Sequence, residues 1–308
     1  LMQDFRMETF LAVCRNLNYT KAAEELCITQ PAVSQHIRHL EEYYGTRLFI
    51  SEGKKMVLTE AGRLLQSAGL TMRHDECALK EQMARAGAEG RSLHMGATMT
   101  IGEFVLPFML NRFMLNEPEA TVHVTVANTT DLLRSIDEGK LDFALVEGYF
   151  SGGDYDYQIY STEKYIPVAG AAYQLQASSR GKKLLRTEDL LSEPILIREQ
   201  GSGTREVLER ILEGKNLAVR DFRKIHEINN LQVMKYLIRE GRGITFLYEA
   251  AVRQEIEQGI LREIRLKDFS VEHDFYFVWR KGSIYGSEYK EIFKQLKGEE
   301  YDGKETRE

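Results

Sequence analysis

Asn18-Tyr19-Thr20-Lys21-Ala22-Ala23-Glu24-Glu25-Leu26 and, two residues later, Thr29-Gln30-Pro31-Ala32-Val33-Ser34 form the stretch that decides the fold of the N-terminal region. Thr20 offers a hydroxyl that caps exposed backbone amides, and the small Ala22 and Ala23 let a second helix approach closely. Thr29 is a further capping residue, and Pro31 falls in the first turn, where its missing N–H costs nothing. A helix therefore starts near Gln30. Its apolar stripe is Val33, Ile37 and Leu40, which leaves Gln30, Ser34, Gln35 and Arg38 facing outward until Gly45 ends it. Two short helices crossing at a tight turn are predicted.

Upstream, Met7, Phe10, Leu11 and Cys14 fall at i, i+3, i+4 and i+7, the buried face of a first helix. Downstream, Leu48-Phe49-Ile50 and Met56-Val57-Leu58-Thr59 flank Ser51-Glu52-Gly53-Lys54-Lys55 as two short strands around a glycine turn, a wing. A long helix opens at Thr59-Glu60-Ala61-Gly62, with Leu65, Ala68, Met72, Leu79, Met83 and Ala86 recurring at three- and four-residue intervals. Asp75 and Gln82 interrupt this stripe, which pairing with a second copy would bury. Gly87 to Gly90 ends the helix as a linker.

Beyond Arg91 strands alternate with helices. Leu93–Ala97, a helix from about Gly102, Thr121–Ala127, a helix from about Asp131 and Asp142–Val146 make a βαβαβ unit. Tyr165–Ala169, Pro194–Arg198, a helix from Thr204, Arg223–Ile228, a helix from Leu231 and Gly243–Leu247 make a second set. Phe275–Trp279 and a last helix over Glu288–Leu296 return to the first. The predicted organisation is a helix-turn-helix domain over 1–59, a linker and dimerisation helix over 60–90, and a two-lobed domain over 91–298. Lobe I takes about 91–162 and 268–298, lobe II about 163–267, and 299–308 reads as a disordered tail.

The 308 residues are 43% hydrophobic and 29% charged, which excludes a mainly disordered chain. With 41 basic against 47 acidic residues the net charge is −6, so contact with nucleic acid has to come from a local patch. Cys14, Cys27 and Cys77 form no metal or disulfide spacing and read as reduced thiols. The seven histidines are scattered without HExxH, so no metal or cofactor is expected. No apolar run approaches a membrane span, and a cytoplasmic protein without membrane partners is expected.

The outward set on the helix at Gln30 suits a major groove, where amide and guanidinium groups read base edges. Gln30, Ser34, Gln35 and Arg38 would meet bases, Pro31 and Ala32 would pack on thymine methyls, and Thr20, Lys21, Lys54 and Lys55 would hold phosphates, with Thr29 at the helix start. A polar solvent face is the competing reading, and composition favours it: residues 1 to 59 hold seven basic and seven acidic side chains.

The ordered set Asn18 to Leu26, Thr29 to Ser34, Leu40-Glu41, Gly45-Thr46-Arg47-Leu48-Phe49 and Leu58-Thr59-Glu60-Ala61-Gly62 resembles the winged helix-turn-helix of LysR-type transcriptional regulators. That resemblance implies an all-α winged helix-turn-helix domain, a long linker helix, and an α/β two-lobed periplasmic-binding-protein-like effector domain. It also implies a homodimer joined by the linker helices, commonly assembled as a dimer of dimers. Ser51 departs from the family's frequent basic residue, which shifts the wing's phosphate grip to Lys54 and Lys55.

Glu199-Gln200-Gly201-Ser202-Gly203-Thr204-Arg205 lies after a strand and opens a helix, where free amides and hydroxyls make an anion-binding end. Arg205 adds a bidentate partner for an oxyanion. The spacing fits neither GxxxxGK[ST], GxGxxG nor GxSxG, so nucleotide hydrolysis and a nucleophile elbow are unsupported. A plain glycine turn and helix cap is the alternative. In the resembling fold this helix start faces Thr98, Thr100, Asn128 and Thr129, so Ser202, Gly203, Thr204 and Arg205 join them as effector-binding candidates. As a set they are similar to the sulfur-metabolism-related branch of the family. A small anion, inorganic oxyanion or carboxylate, is the expected effector. Tyr149, Tyr155, Tyr157 and Tyr160 read as the edge of an inter-lobe loop or as an aromatic ligand wall.

The expected function is therefore a non-enzymatic regulator of double-stranded promoter DNA, controlled by a small anionic metabolite. The alternative is a ligand-binding or enzymatic α/β protein whose N-terminal helices serve only assembly.

Overall fold

The computed structural model describes residues 4–53, 55–85, 90–176 and 184–298. Lys54, Ala86, Gly87 and the stretch 299–308 lie outside the described residues. The chain divides into two compact units. One is formed by Leu1–Ala88 with Ile136–Lys140 and Arg280–Gly286, the other by Glu89–Ser135, Leu141–Trp279 and Ser287–Glu308.

In the first unit, α1 (Phe5–Asn16), α2 (Tyr19–Glu25) and α3 (Gln30–Tyr44) pack around Phe10, Leu11, Val13, Ala22, Val33, Ile37 and Leu48. The Thr29 hydroxyl accepts from the Ala32 amide, and Gly45 closes α3 at φ 68°, a conformation that costs glycine little. The cap of α2 is Asn18, whose side chain accepts from the Lys21 amide; Thr20, the cap expected from sequence, sits inside the helix with its side chain exposed. Asn is at least as good a cap as Thr, and the earlier start buries Ala22 and Ala23 against α1 and α3. β1 (Phe49–Glu52) and β2 (Lys55–Leu58) pair antiparallel as the hairpin.

The long helix α4 (Glu60–Ala84) is capped by Thr59, which accepts from the Gly62 amide at 2.9 Å and donates to the Arg47 carbonyl at 2.7 Å. Its apolar stripe has two fates. Leu65 is buried in the N-terminal core, whereas Met72 and Met83 are exposed. Asp75, which breaks the apolar spacing, has a use within the same unit: it accepts from the Ser283 hydroxyl at 2.6 Å and the Ile284 amide at 3.1 Å. Beside it, the buried Arg280 donates to Asp137 at 3.0 Å, to the Ser67 carbonyl at 3.1 Å and to Thr71 at 3.2 Å. Burial of these polar groups is tolerated because each carries hydrogen bonds.

Among the described residues, the second unit is built on a nine-stranded sheet in the order β4 (Thr121–Val126), β3 (Ser92–Ala97), β5 (Phe143–Val146), β11 (Val271–Arg280), β6 (Tyr155–Gly170), β9 (Ile244–Tyr248), β7 (Pro194–Ile197), β8 (Lys224–Glu227), with β10 (Leu261–Glu263) beside β6. β3 (Ser92–Ala97) pairs parallel with β4 (Thr121–Val126) and with β5 (Phe143–Val146). β7 (Pro194–Ile197) pairs parallel with β8 (Lys224–Glu227) and with β9 (Ile244–Tyr248). The long β6 (Tyr155–Gly170) and β11 (Val271–Arg280) lie between these two parallel groups. The helices that follow strands are α5 (Met99–Phe104), α6 (Leu106–Asn116), α7 (Thr129–Asp137), α8 (Gly203–Glu213), α9 (Leu231–Arg239), α10 (Glu249–Glu257) and α11 (Gly286–Lys297).

In the second unit three features differ from the sequence-based expectation. The tyrosines 155, 157 and 160 lie in strand β6, not in a loop, because Tyr155-Asp-Tyr-Gln-Ile-Tyr160 alternates as a strand face. Helix α5 begins directly after Thr98 instead of near Gly102. α10 and β10 (Leu261–Glu263) are additional elements.

Candidate functional site

The outward side of α3 is open. Gln30, Pro31, Gln35 and Arg38 are exposed and Ser34 is half-buried, with the Gln30 amide donating to the Ser34 hydroxyl at 2.9 Å. Thr20, Lys21 and Lys55 are exposed as well. Three acidic residues of this unit have partners of their own. Glu41 accepts from Arg47 and from the Leu48 amide, Glu25 is held by Arg15 and Asn16, and Asp4 caps α1 while pairing with Arg6. A domain neutral in composition presents Lys21, Arg38 and Lys55 as exposed basic side chains, with Glu42 lining the surface beside Arg38 and Glu52 opposite Lys55 in the hairpin. His36 holds α3 to α1 through the Thr9 hydroxyl at 2.9 Å, and burial with the nearby Arg6 lowers its pKa, which favours the neutral ring.

In the second unit the starts of α5 and α8 and the end of β5 meet at one buried carboxyl group, that of Glu147. Oε1 accepts from the Thr204 hydroxyl at 2.6 Å and the Thr100 hydroxyl at 3.2 Å, and Oε2 from the Thr98 hydroxyl at 3.0 Å. Glu147 is 1% exposed, and burial pushes its carboxyl above the usual range against the opposing pull of Thr204, Arg198, Thr98 and Thr100. The backbones are equally close. A Cβ on Gly203 would lie 2.5 Å from the Glu147 carbonyl oxygen, and one on Gly148 would lie 2.9 Å from the Thr129 hydroxyl.

The candidates from sequence thus divide. Thr98, Thr100 and Thr204 converge on Glu147, and Ser202, Gly203 and Thr129 are buried around it. Asn128 is committed to capping α7: its Oδ1 accepts from the Asp131 amide and its Nδ2 donates to the Asp131 carboxylate, both at 2.9 Å. Arg205 is paired within its own half, its Nε with Glu209 at 2.8 Å and its Nη1 with Glu227 at 2.6 Å and the Arg198 carbonyl at 3.2 Å.

Neither Glu147 nor Arg198 stood out in the sequence. Arg198 is 3% exposed and gives Nε and Nη2 to Glu199, each at 2.9 Å, while its buried Nη1 has no partner. The Thr129 hydroxyl is likewise buried without a partner. The one available signal was position: an ionisable residue directly follows each of the apolar strands Phe143–Val146 and Pro194–Ile197. Among the described residues no group of three His, Cys, Asp or Glu side chains is placed to hold a metal, and no helix is long and apolar enough to cross a membrane.

The order of elements, a helix-turn-helix with hairpin, a long helix, then a mixed sheet with strand ends converging, matches known profiles along most of the chain. Residues 5–63 match the bacterial regulatory helix-turn-helix protein, lysR family, and residues 86–298 match the LysR substrate binding domain. The chain belongs to the LysR-type transcriptional regulators. It is a DNA-binding regulator with an effector-binding domain, not an enzyme. Among curated relatives, the HTH-type transcriptional regulator CysL of Bacillus subtilis is 28% identical over 288 residues, covering 93% of this chain and 94% of that one. Full-length OxyR from Pseudomonas aeruginosa has a similar fold, with TM-score 0.57 and 18% identity over 95% of this chain and 98% of that one. The Synechocystis PCC6803 CcmR regulatory domain, solved in complex with 2-PG, has TM-score 0.59 and 20% identity, covering 68% of this chain and 96% of that one.

Proposed function

We propose that this LysR-type regulator reads double-stranded promoter DNA with the outward face of α3 and is controlled by a small anion, an inorganic oxyanion or a carboxylate, bound where Thr98, Thr100, Thr129, Ser202, Gly203 and Thr204 surround Glu147. The observation that carries the DNA reading is the exposure of Gln30, Gln35 and Arg38 on a helix whose other side is the domain core. Gln30, Ser34, Gln35 and Arg38 contact base edges, Pro31 packs on a thymine methyl, and Thr20, Lys21, Lys54 and Lys55 hold phosphates. The anion reading is supported by two buried donors without partners, Arg198 Nη1 and Thr129 Oγ1, and by the closeness of Thr129 to the start of α8, since a Cβ on Gly148 would meet both its hydroxyl and the Gly203 Cα. Arg205 positions that turn through the Arg198 carbonyl, while Arg198 supplies the free guanidinium edge.

The DNA-reading domain is assigned to 1–59, the linker helix to 60–90 and the effector domain to 91–298. The protein acts in the cytoplasm as a homodimer through α4, where Met72 and Met83 are exposed, and as a homotetramer on paired sites. Two α3 helices then meet half-sites about one turn apart, roughly 34 Å, or a multiple of it.

Fluorescence anisotropy against the promoter region adjoining its own gene, repeated at rising salt, tests this reading. Binding that weakens steeply with salt is expected, since neutralised phosphates release counterions. Absent or salt-independent binding would sink it.

A further inference from the structure

We propose that Glu147 makes the effector site select a tetrahedral oxyanion that carries a proton, such as hydrogen phosphate, over one of the same shape that carries none, such as sulfate. This rests on the anion reading above. The site offers two kinds of polar group. Arg198 Nη1 and the Thr129 hydroxyl are buried donors with no partner, and they suit the lone pairs of an anion. Glu147 is an acceptor. Its Oε1 takes two hydroxyl bonds, from Thr100 and Thr204, but its Oε2 takes one, from Thr98, which leaves an acceptor position on Oε2.

A ligand oxygen that bears hydrogen completes this carboxylate by donating to it. An oxygen that bears none sets a second negative charge beside the first, where water is excluded and screening is weak. A site built to receive a ligand's hydroxyl rejects an analogue lacking it strongly, by roughly 10⁴-fold in the best cases. Sulfate can enter only if Glu147 is itself protonated from solvent and becomes the donor. The burial of the carboxyl makes that route available at low pH. One proton is shared between carboxylate and anion in either case, and the anion that brings its own avoids the cost of uptake.

The test is isothermal titration of the full chain at pH 8 with phosphate and arsenate, which keep a proton, and with sulfate and selenate, which do not. The wild type is expected to bind the first pair at least about 100-fold more tightly than the second. Lowering the pH should bring sulfate binding in. Glu147→Gln, whose amide removes the charge and supplies a donor, should bind sulfate within about tenfold of phosphate. Sulfate binding to the wild type at pH 8 within about threefold of phosphate would overturn the selection while leaving the anion reading intact. Binding of none of the four, by either protein, would overturn the anion reading and the selection with it. The comparison of anions on the wild type stands even if the variant fails to fold.

Discussion

The hydroxyl of Thr204 donates to the carboxyl of Glu147 across 2.6 Å, joining the first turn of α8 to the end of β5. One side chain from each parallel strand group takes part, and the Thr98 and Thr100 hydroxyls complete the ring from the β3 side. On the proposed anion reading, an effector that bonds to Glu147 acts on the contact between the two strand groups. A ligand that binds one arrangement better than another shifts the population between them.

Gly203 is the residue that lets this contact form. A Cβ there would lie 2.5 Å from the Glu147 carbonyl oxygen and 2.7 Å from the Gly148 nitrogen, so backbone must move. Gly203→Ala is expected to lower stability by about 1–3 kcal/mol, as overpacking does, and to abolish stabilisation by anions. Denaturant unfolding with and without phosphate measures both effects.

Arg280 is 1% exposed, with hydrogen bonds to Asp137, Ser67 and Thr71. Replacing it removes the guanidinium's bonds to Asp137 and to the α4 groups. Arg280→Met is expected to cost about 3–5 kcal/mol, the usual effect of breaking a buried ion pair. Urea unfolding of the full chain reads it, and a change within ±0.5 kcal/mol, typical of surface sites, would contradict the packing described.

Asp75 gives a pH signature. Burial raises its carboxyl pKa, but hydrogen bonds from His74, the Ser283 hydroxyl and the Ile284 amide outweigh burial and hold it below the usual value. A lowered folded pKa adds stability that is complete above the unfolded pKa and is lost as pH falls through the folded one. Asp75→Asn should therefore be less stable than wild type at pH 7, with the gap closing on the acid side of the normal carboxylate range. Thermal midpoints between pH 7 and pH 3 report the two curves; a gap that stays constant with pH would exclude this role.

The three thiols should separate by reactivity. Cys14 is buried in the N-terminal core, and burial pushes its thiol up to about 12, whereas Cys27 is exposed and Cys77 half-buried. A thiolate-directed reagent should label native protein first at Cys27 and reach Cys14 only on unfolding. Labelling of Cys14 at the rate of Cys27 would show that α1 is not packed as described.

Much of the first unit was legible because local chemistry sets it. Thr29, Pro31 and Gly45 mark both ends of α3, and Val33, Ile37 and Leu40 mark its buried side. The cap of α2 was misplaced by two residues, since Asn18 and Thr20 both carry a capping oxygen and only packing against α1 chooses between them. In the sheet domain, the short buried strands were readable as apolar runs, but the first part of β6 was not. Its tyrosines alternate with polar residues beside Gly152-Gly153, a composition shared by loops and edge segments. Around Glu147, the hydroxyls of Thr98, Thr100 and Thr204 drew notice. Glu147 and Arg198 did not, because nothing local tells whether a charged residue after a strand turns inward or toward water; the opposite strand group decides that. Arg205 was read as the oxyanion partner, yet Glu209 and Glu227, four and twenty-two residues away, hold it.

The most direct test of the DNA-reading surface is specificity at α3. Anisotropy titrations of wild type, Gln30→Ala and Arg38→Ala are compared on promoter duplex and on a scrambled duplex of the same length at one salt concentration. Each variant should lose about 1–3 kcal/mol on the promoter, roughly 5- to 150-fold, and much less on the scrambled sequence, with thermal stability unchanged. Equal affinity of all three proteins for the promoter would show that another surface reads the DNA.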